Sequence, residues 1–322
     1  MSGIVELSEP PYGAIRDELV AGRVIPFLGA GASLAERVPP TAPWKDPDPS
    51  RSVHYVPTAG DLACYLAHKW AFPLTNEETA GRDLPRIAQY CSIRGGRTPL
   101  RRTLHKTFDW DAPIRPIHEF LASIEKPLLI VTTNYDDILE RALRSAGRKF
   151  DVVVHTTDSN TGDNLFWTPH EKPREEKLAS DFPQTALERT IIFKMHGTVD
   201  RSAGPNAAED DTDRGDFVIT EDDYIYFLTQ LIRNQAIPAV FIKPLQDRHF
   251  LFLGYSLTDW NMRVVLNQIE ESRRVDQEWR KNRGIKSWAI QRDVDPIEKI
   301  FWDSRGVDLY RMEIDKFVEK LR

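Results

Sequence analysis

The chain has 322 residues, of which 41% are hydrophobic and 29% charged, with a formal net charge of −6. That length supports a sizeable core, the composition excludes wholesale disorder, and the acidic balance excludes a chain that coats nucleic acid through bulk positive charge. Its 2 cysteines, Cys64 and Cys91, cannot build a four-thiolate zinc ribbon or a disulfide framework.

The first residues lack the basic-then-apolar order of a secretory leader, and no lipidation motif is present. Apolar runs such as Leu128 to Val131 fall far short of a bilayer span. The chain therefore reads as cytoplasmic, without a membrane partner.

Taken in order, Arg23 to Leu28 reads as a strand that enters the glycine turn Gly29-Ala30-Gly31-Ala32-Ser33 and then a helix start. The Pro- and Asp-rich stretch from Val38 to Pro57 reads as a loop. From 58 to 124 the apolar residues fall at helical spacing, as in Leu62, Tyr65 and Leu66 or Leu84, Ile87, Ala88 and Cys91, which predicts a helical insertion subdomain. Pro127 to Thr133 is a strand, Asp136 to Ala146 a helix, and Phe150 to Val154 another strand. Residues 155–189 are polar and mixed and read as a long excursion.

Ile191 to Met195 resumes the strand pattern, and a polar stretch follows from Ala203 to Asp216. Phe217 to Thr220 reads as a short strand, with Thr220 an N-cap and Asp223 its capping-box partner. His249 to Leu253 is an apolar strand, followed by a helix from Trp260 to about Arg274. Ser287 to Gln291 and Val307 to Tyr310 complete the sheet, and Asp315 to Lys320 is a last helix. This alternation predicts an α/β fold: a Rossmann-like parallel sheet flanked by helices, with residues 1–322 as a single domain.

Four short motifs lie where strands end, the side on which open α/β sheets bind ligands. Gly29-Ala30-Gly31-Ala32-Ser33 lets the backbone approach a ligand and offers amides to an anion such as a diphosphate, or is simply a tight turn with Ser33 as cap. Thr132-Thr133-Asn134-Tyr135-Asp136-Asp137 offers amide and carboxylate groups to a sugar hydroxyl or a water, or is a helix cap with Asn134 as the N-cap. Lys194-Met195-His196-Gly197 presents a histidine that can act as a general base, or one that is structural. In Gly254-Tyr255-Ser256-Leu257-Thr258-Asp259, Ser256 suits a ribose or phosphate, and Thr258 or Asp259 suits the cap of the next helix.

In this order, Gly-Ala-Gly-Ala-Ser at 29–33, Thr-Thr-Asn-Tyr-Asp at 132–136, Met-His-Gly at 195–197 and Leu-Gly-Tyr-Ser-Leu-x-Asp at 253–259 resemble the sirtuin superfamily. The likeness is strongest to its prokaryotic sirtuin-like NAD-hydrolase branch of antiphage defence, in which Thr-Glu-Asp-Asp-Tyr at 220–224 also looks like a recurring element. The resemblance implies a sirtuin-like fold that takes NAD as its substrate and needs no metal. Gly29, Ala30, Gly31 and Ser33 would line the diphosphate, Gly254 and Ser256 would contact the adenosine half, and Thr133 and Tyr255 would also bind the NAD. Asn134 would hold the nicotinamide ribose and the attacking water, His196 would be the general base, and Asp136 would shape the pocket.

The chain departs from the deacylases of that superfamily. It lacks their zinc ribbon, Leu34 to Pro40 replaces their Gly-Ile-Pro-Asp-Phe-Arg, and Asn134 and His196 lie farther apart than in the compact enzymes. These departures favour water as acceptor, hence an NAD+ hydrolase that acts in defence by depleting NAD. A deacylase or ADP-ribosyltransferase, and a non-catalytic nucleotide-binding subunit of an ATPase complex, are the alternatives. Because such activity must be gated, the resemblance also implies a homo-oligomer and a partner such as a HerA-type ATPase or a short Argonaute system, without sequence-specific nucleic-acid contact.

Overall fold

The computed structural model describes residues 9–34, 55–73, 83–157, 164–199, 217–255, 263–267 and 286–322. Among the described residues, nine strands form one sheet: β1 (Val24–Leu28), β2 (Leu129–Thr132), β3 (Phe150–His155), β4 (Asn164–Thr168), β5 (Glu175–Leu178), β6 (Thr190–Lys194), β7 (His249–Leu253), β8 (Ser287–Gln291) and β9 (Val307–Arg311). Their order is β5-β4-β3-β6-β2-β1-β7-β8-β9. Every neighbouring pair is parallel except β3–β4 and β4–β5. This is the expected Rossmann-like α/β fold.

The central strands are apolar throughout because both of their faces are covered. All five residues of β1 are buried, and so are all five of β6. Ile25, Phe27, Val131, Phe193 and Phe252 face one side; Leu28, Ile130, Ile192 and Leu253 face the other.

β1 carries a proline in the middle of the sheet, where proline is ordinarily excluded. The carbonyls of Arg23 and Leu28 show which way each backbone group points. The first accepts from His249 on the β7 side, the second from Thr133 on the β2 side. Pro26, in phase with Leu28, therefore turns its missing N–H toward β2, and β1 pairs with β2 only at Phe27 and Leu28, beyond it.

The helices whose bounds lie within the described residues are α1 (Tyr12–Val20), α2 (Ala59–Lys69), α3 (Leu84–Gly95), α4 (Arg97–Phe108), α5 (Pro116–Ser123), α6 (Ile138–Ser145), α7 (Glu221–Ile232), α8 (Ala239–Asp247), α9 (Pro296–Asp303) and α10 (Ile314–Leu321). Phe227 of α7 and Phe241 of α8 cover one face of the sheet. Ile15, Leu121, Leu143 and Phe317, from α1, α5, α6 and α10, cover the other. A third cluster joins Leu62, Leu66, Ile87 and Leu104 of α2, α3 and α4 to Tyr135, Ile138 and Phe217 of the α/β unit. No described helix is long and apolar enough to cross a membrane.

Three expectations need correction. The stretch 155–189 is no plain excursion: it holds β4 and β5, which extend the sheet as an antiparallel ribbon. Phe217 to Thr220 is no strand, since Phe217 makes only an isolated bridge to Gly197. The helix after β2 begins at Ile138, not Asp136. The Thr220–Asp223 capping box is present as expected, and Thr58 and Asp61 make another at α2. The loop expected from Val38 is described only at its last residues, the stretch from Ala203 to Asp216 lies outside the described residues, and the helix expected from Trp260 is described only at 263–267.

Candidate active site

The chain lays β2 and β3 on one side of β1, then returns to place β7, β8 and β9 on the other. The strand order thus reverses at β1 and β7, where open α/β sheets form their ligand crevice. The four motifs follow β2, β1, β7 and β6, which are contiguous and parallel, so they share one edge of the sheet.

The glycines at this edge serve a backbone-to-backbone contact. The amides of Gly29 and Gly31 donate to the carbonyls of Leu253 and Gly254, at 3.0 and 2.9 Å. A Cβ on Gly31 would lie 2.6 Å from Gly254 Cα, and one on Gly254 would lie 2.2 Å from the Ala32 nitrogen. Gly254 also has φ +63°, a left-handed conformation that favours glycine. A Cβ on Gly29 would meet the Tyr255 backbone at 2.7 Å and its ring at 2.9 Å.

The turn that starts at Ala30 is a short 3-10 turn, in which the Ala32 and Ser33 amides donate to the Gly29 and Ala30 carbonyls. In this conformation the amides of Gly29, Gly31, Ala32 and Ser33 are therefore bonded within the protein rather than offered to an anion. That differs from the sequence expectation of a ready amide cradle. The physical reason is the tight seating of the turn on the end of β7.

Asn134 does not cap α6. The residue before that helix is Asp137, and it is the Asp136 Oδ1 that accepts from the Ile138 amide, at 3.2 Å. The Asn134 backbone amide donates to Thr132 Oγ1, whose own hydroxyl donates to the Leu28 carbonyl. Its side-chain Nδ2 donates to the Gly29 carbonyl and to Ser33 Oγ, both at 3.0 Å. Ser33 Oγ in turn donates to Asp136 Oδ2 at 2.9 Å. Three predicted site residues from two distant motifs are thereby joined in one chain of hydrogen bonds. Thr133 lies at the same junction, its amide donating to the Leu28 carbonyl.

Below this chain sits a group to which the sequence reading assigned no role. Lys194, fully buried at the end of β6, bonds the Asp136 carbonyl at 2.5 Å and Glu140 Oε1 of α6 at 2.8 Å. A lysine inside the apolar run Ile191 to Met195 is the signal that could have revealed it, because lysine is buried only with a partner. Burial pushes the Asp136 carboxyl above its ordinary range, against the pull of Lys194 and the bonds from Ile138 and Ser33.

His196 follows β6 and is buried. Its ring packs edge-on against Tyr224 and Phe227 of α7, with centroids 5.3 and 5.9 Å away. Gly197 turns the chain with φ +90°. Arg97, at the start of α4, reaches this side: it pairs with Asp223 at 2.7 Å and bonds Thr157 Oγ1 and the Phe217 carbonyl. It thereby ties the helical block to α7 and to the loop after β3. Ser256, with Thr258 and Asp259, lies outside the described residues. Among the described residues, no group of three or more His, Cys, Asp or Glu could hold a metal ion.

Residues 128–310 match the family described as SIR2-like domain. The chain belongs to this family. It is 26% identical over 188 residues to the NAD(+) hydrolase ThsA of Cytobacillus dafuensis, a stretch that covers 58% of this chain and 30% of the relative. It is 29% identical over 190 residues to the ThsA of Enterococcus faecium, covering 58% and 32%. It is 24% identical over 227 residues to the defense-associated sirtuin 2 of Bacillus subtilis, covering 69% and 18%. The matched stretch thus spans about a third or less of each of these relatives.

Proposed function

We propose that this SIR2-like chain is an NAD+ glycohydrolase that releases nicotinamide and ADP-ribose and acts as an antiphage effector by depleting NAD. The observation that carries the reading is the Asn134–Ser33–Asp136 chain of hydrogen bonds at the strand-order reversal, with His196 on the same edge. The names of the relatives, NAD(+) hydrolase and defense-associated sirtuin, support it.

The chemistry follows from charge. The nicotinamide of NAD+ is a cationic leaving group, so it departs with the electron pair of the N-glycosidic bond and becomes neutral without a general acid. The ribose passes through an oxocarbenium-like state, as in glycoside hydrolysis, and the oxygen of a water bonds to its anomeric carbon. Both Nδ2 hydrogens of Asn134 are committed to Gly29 and Ser33, which leaves Oδ1 to accept a hydrogen bond from that water and aim it. His196 accepts the proton the water loses.

The glycine turn and the Gly254-Tyr255-Ser256 segment border the diphosphate and adenosine halves. Residues 1–322 act as one domain in this reading, with 58–124 as its helical insertion. Self-association and a gating partner, such as a HerA-type ATPase or a short Argonaute system, complete the proposal.

The test is an NAD-consumption assay on the purified chain, alone and with the product of the neighbouring gene, with the products separated chromatographically. Wild type yields nicotinamide and ADP-ribose, while Asn134→Ala and His196→Ala release none and remain folded. Wild-type turnover in both variants would overturn the assignment.

A further inference from the structure

We propose that His155 is a second histidine of this site, its Nδ1 serving as the hydrogen-bond partner of a hydroxyl that the bound ligand or its attacking water presents beside His196. The inference rests on the NAD-hydrolase reading and names a further residue for it.

β3 lies beside β6 in parallel register, with Val154 opposite Lys194, so His155 comes level with Met195, one residue before His196. The two imidazoles pack edge-on against one ring. Phe227 lies 4.9 Å from His155 and 5.9 Å from His196, centroid to centroid. Tyr226 flanks His155 at 6.5 Å, and Tyr224 flanks His196 at 5.3 Å. The nearby charges are already paired: Asp223 with Arg97, and Lys194 with Glu140.

Only 3% of His155 is exposed, yet its Nδ1 finds no hydrogen-bond partner among the described residues. A buried polar atom left without a partner destabilises a fold, and a phenyl ring would fill the same space without that penalty. A ligand hydroxyl supplies the missing partner. Burial drives the imidazole pKa down to about 3, and charge on His196 pushes it the same way. His155 is therefore neutral at physiological pH and does not compete with His196 for a proton.

The experiment compares three variants for nicotinamide release and melting temperature. His155→Phe keeps the ring shape and removes both nitrogens. It is expected to melt higher than wild type while kcat falls about tenfold or more. His155→Asn sets an amide atom where Nδ1 lies and recovers part of kcat; His155→Gln, which reaches toward the Nε2 position, does not. A His155→Phe enzyme with wild-type kcat and KM would overturn the inference. So would kcat and melting temperature falling together in all three variants, which marks a packing role. A wild-type chain that neither binds nor consumes NAD, with or without its partner, would instead sink the parent reading and this one with it.

Discussion

Ser33 and Asp136 are 103 positions apart in the chain, yet the serine hydroxyl donates to the aspartate Oδ2 at 2.9 Å. The neighbouring bonds fit this direction. The Gly29 carbonyl can only accept, so the atom of Asn134 that faces it must be Nδ2. The same Nδ2 donates to Ser33 Oγ, which leaves the serine hydrogen for Asp136. The orientation of Asn134 is thus set from the end of β1 and braced from the start of α6.

Removing the relay atom should release the side chain it orients. Ser33→Ala deletes one acceptor of Asn134 and the donor to Asp136 without altering the backbone. Steady-state kinetics of nicotinamide release should show kcat lowered about tenfold to a hundredfold, as expected when a water-positioning group loses its alignment. Unchanged kcat would remove Ser33 from the site.

The raised pKa of Asp136 has a definite sign in stability. Burial makes the folded protein hold this proton more tightly than the unfolded chain, whose carboxyl titrates near the ordinary value of about 3.9. The contribution is therefore fully present below that value and is lost as pH rises through the raised one. Asp136→Asn has no such proton to lose. Its melting temperature relative to wild type should rise as pH climbs above the ordinary carboxylate value. A flat difference, or one of opposite slope, would contradict the assignment.

The pair Lys194–Glu140 is buried on both sides, so losing one member leaves a charge without its partner. Lys194→Met should destabilise the fold by about 3–5 kcal/mol in urea titrations, whereas Lys194→Met combined with Glu140→Leu should recover most of that loss. If the double variant proves no more stable than the single, the interaction is not a simple pair.

Gly254→Ala tests the seating of the glycine turn on β7. The new methyl would meet backbone atoms of Gly31 and Ala32, which cannot swing aside, and the residue keeps a left-handed φ. The conformation alone costs about 1–2 kcal/mol, and the clash adds to it. A melting temperature equal to wild type would show that the turn relaxes freely.

Much of the sheet was legible because its strands are buried on both faces and so stand out as apolar runs. β1, β2, β6, β7, β8 and β9 all coincide with runs read from the residues, and β3 with Phe150 to Val154. β5 was not legible. Its residues Glu175 to Leu178 lie mostly exposed at the sheet edge and are held by pairing rather than burial. Charged residues there also blunt an edge open to other strands. α9 was also not read from the residues, although Asp295 capping a helix whose first residue is Pro296 is a recognisable start.

The sequence by itself determined the α/β class and the strand ends that carry the motifs, and it put forward Ser33, Asn134, Asp136 and His196 as candidates. Those signals are local: burial periodicity, glycine turns, and polar side chains directly after apolar runs. Only the tertiary structure decided that Asn134 turns back to Gly29 rather than capping α6, that Lys194 supports Asp136 from below, and that His155 joins His196 against Phe227. Each of these contacts spans tens of residues or more in the chain. What settles them is which strands lie adjacent and in what register, and no local run of residues records that.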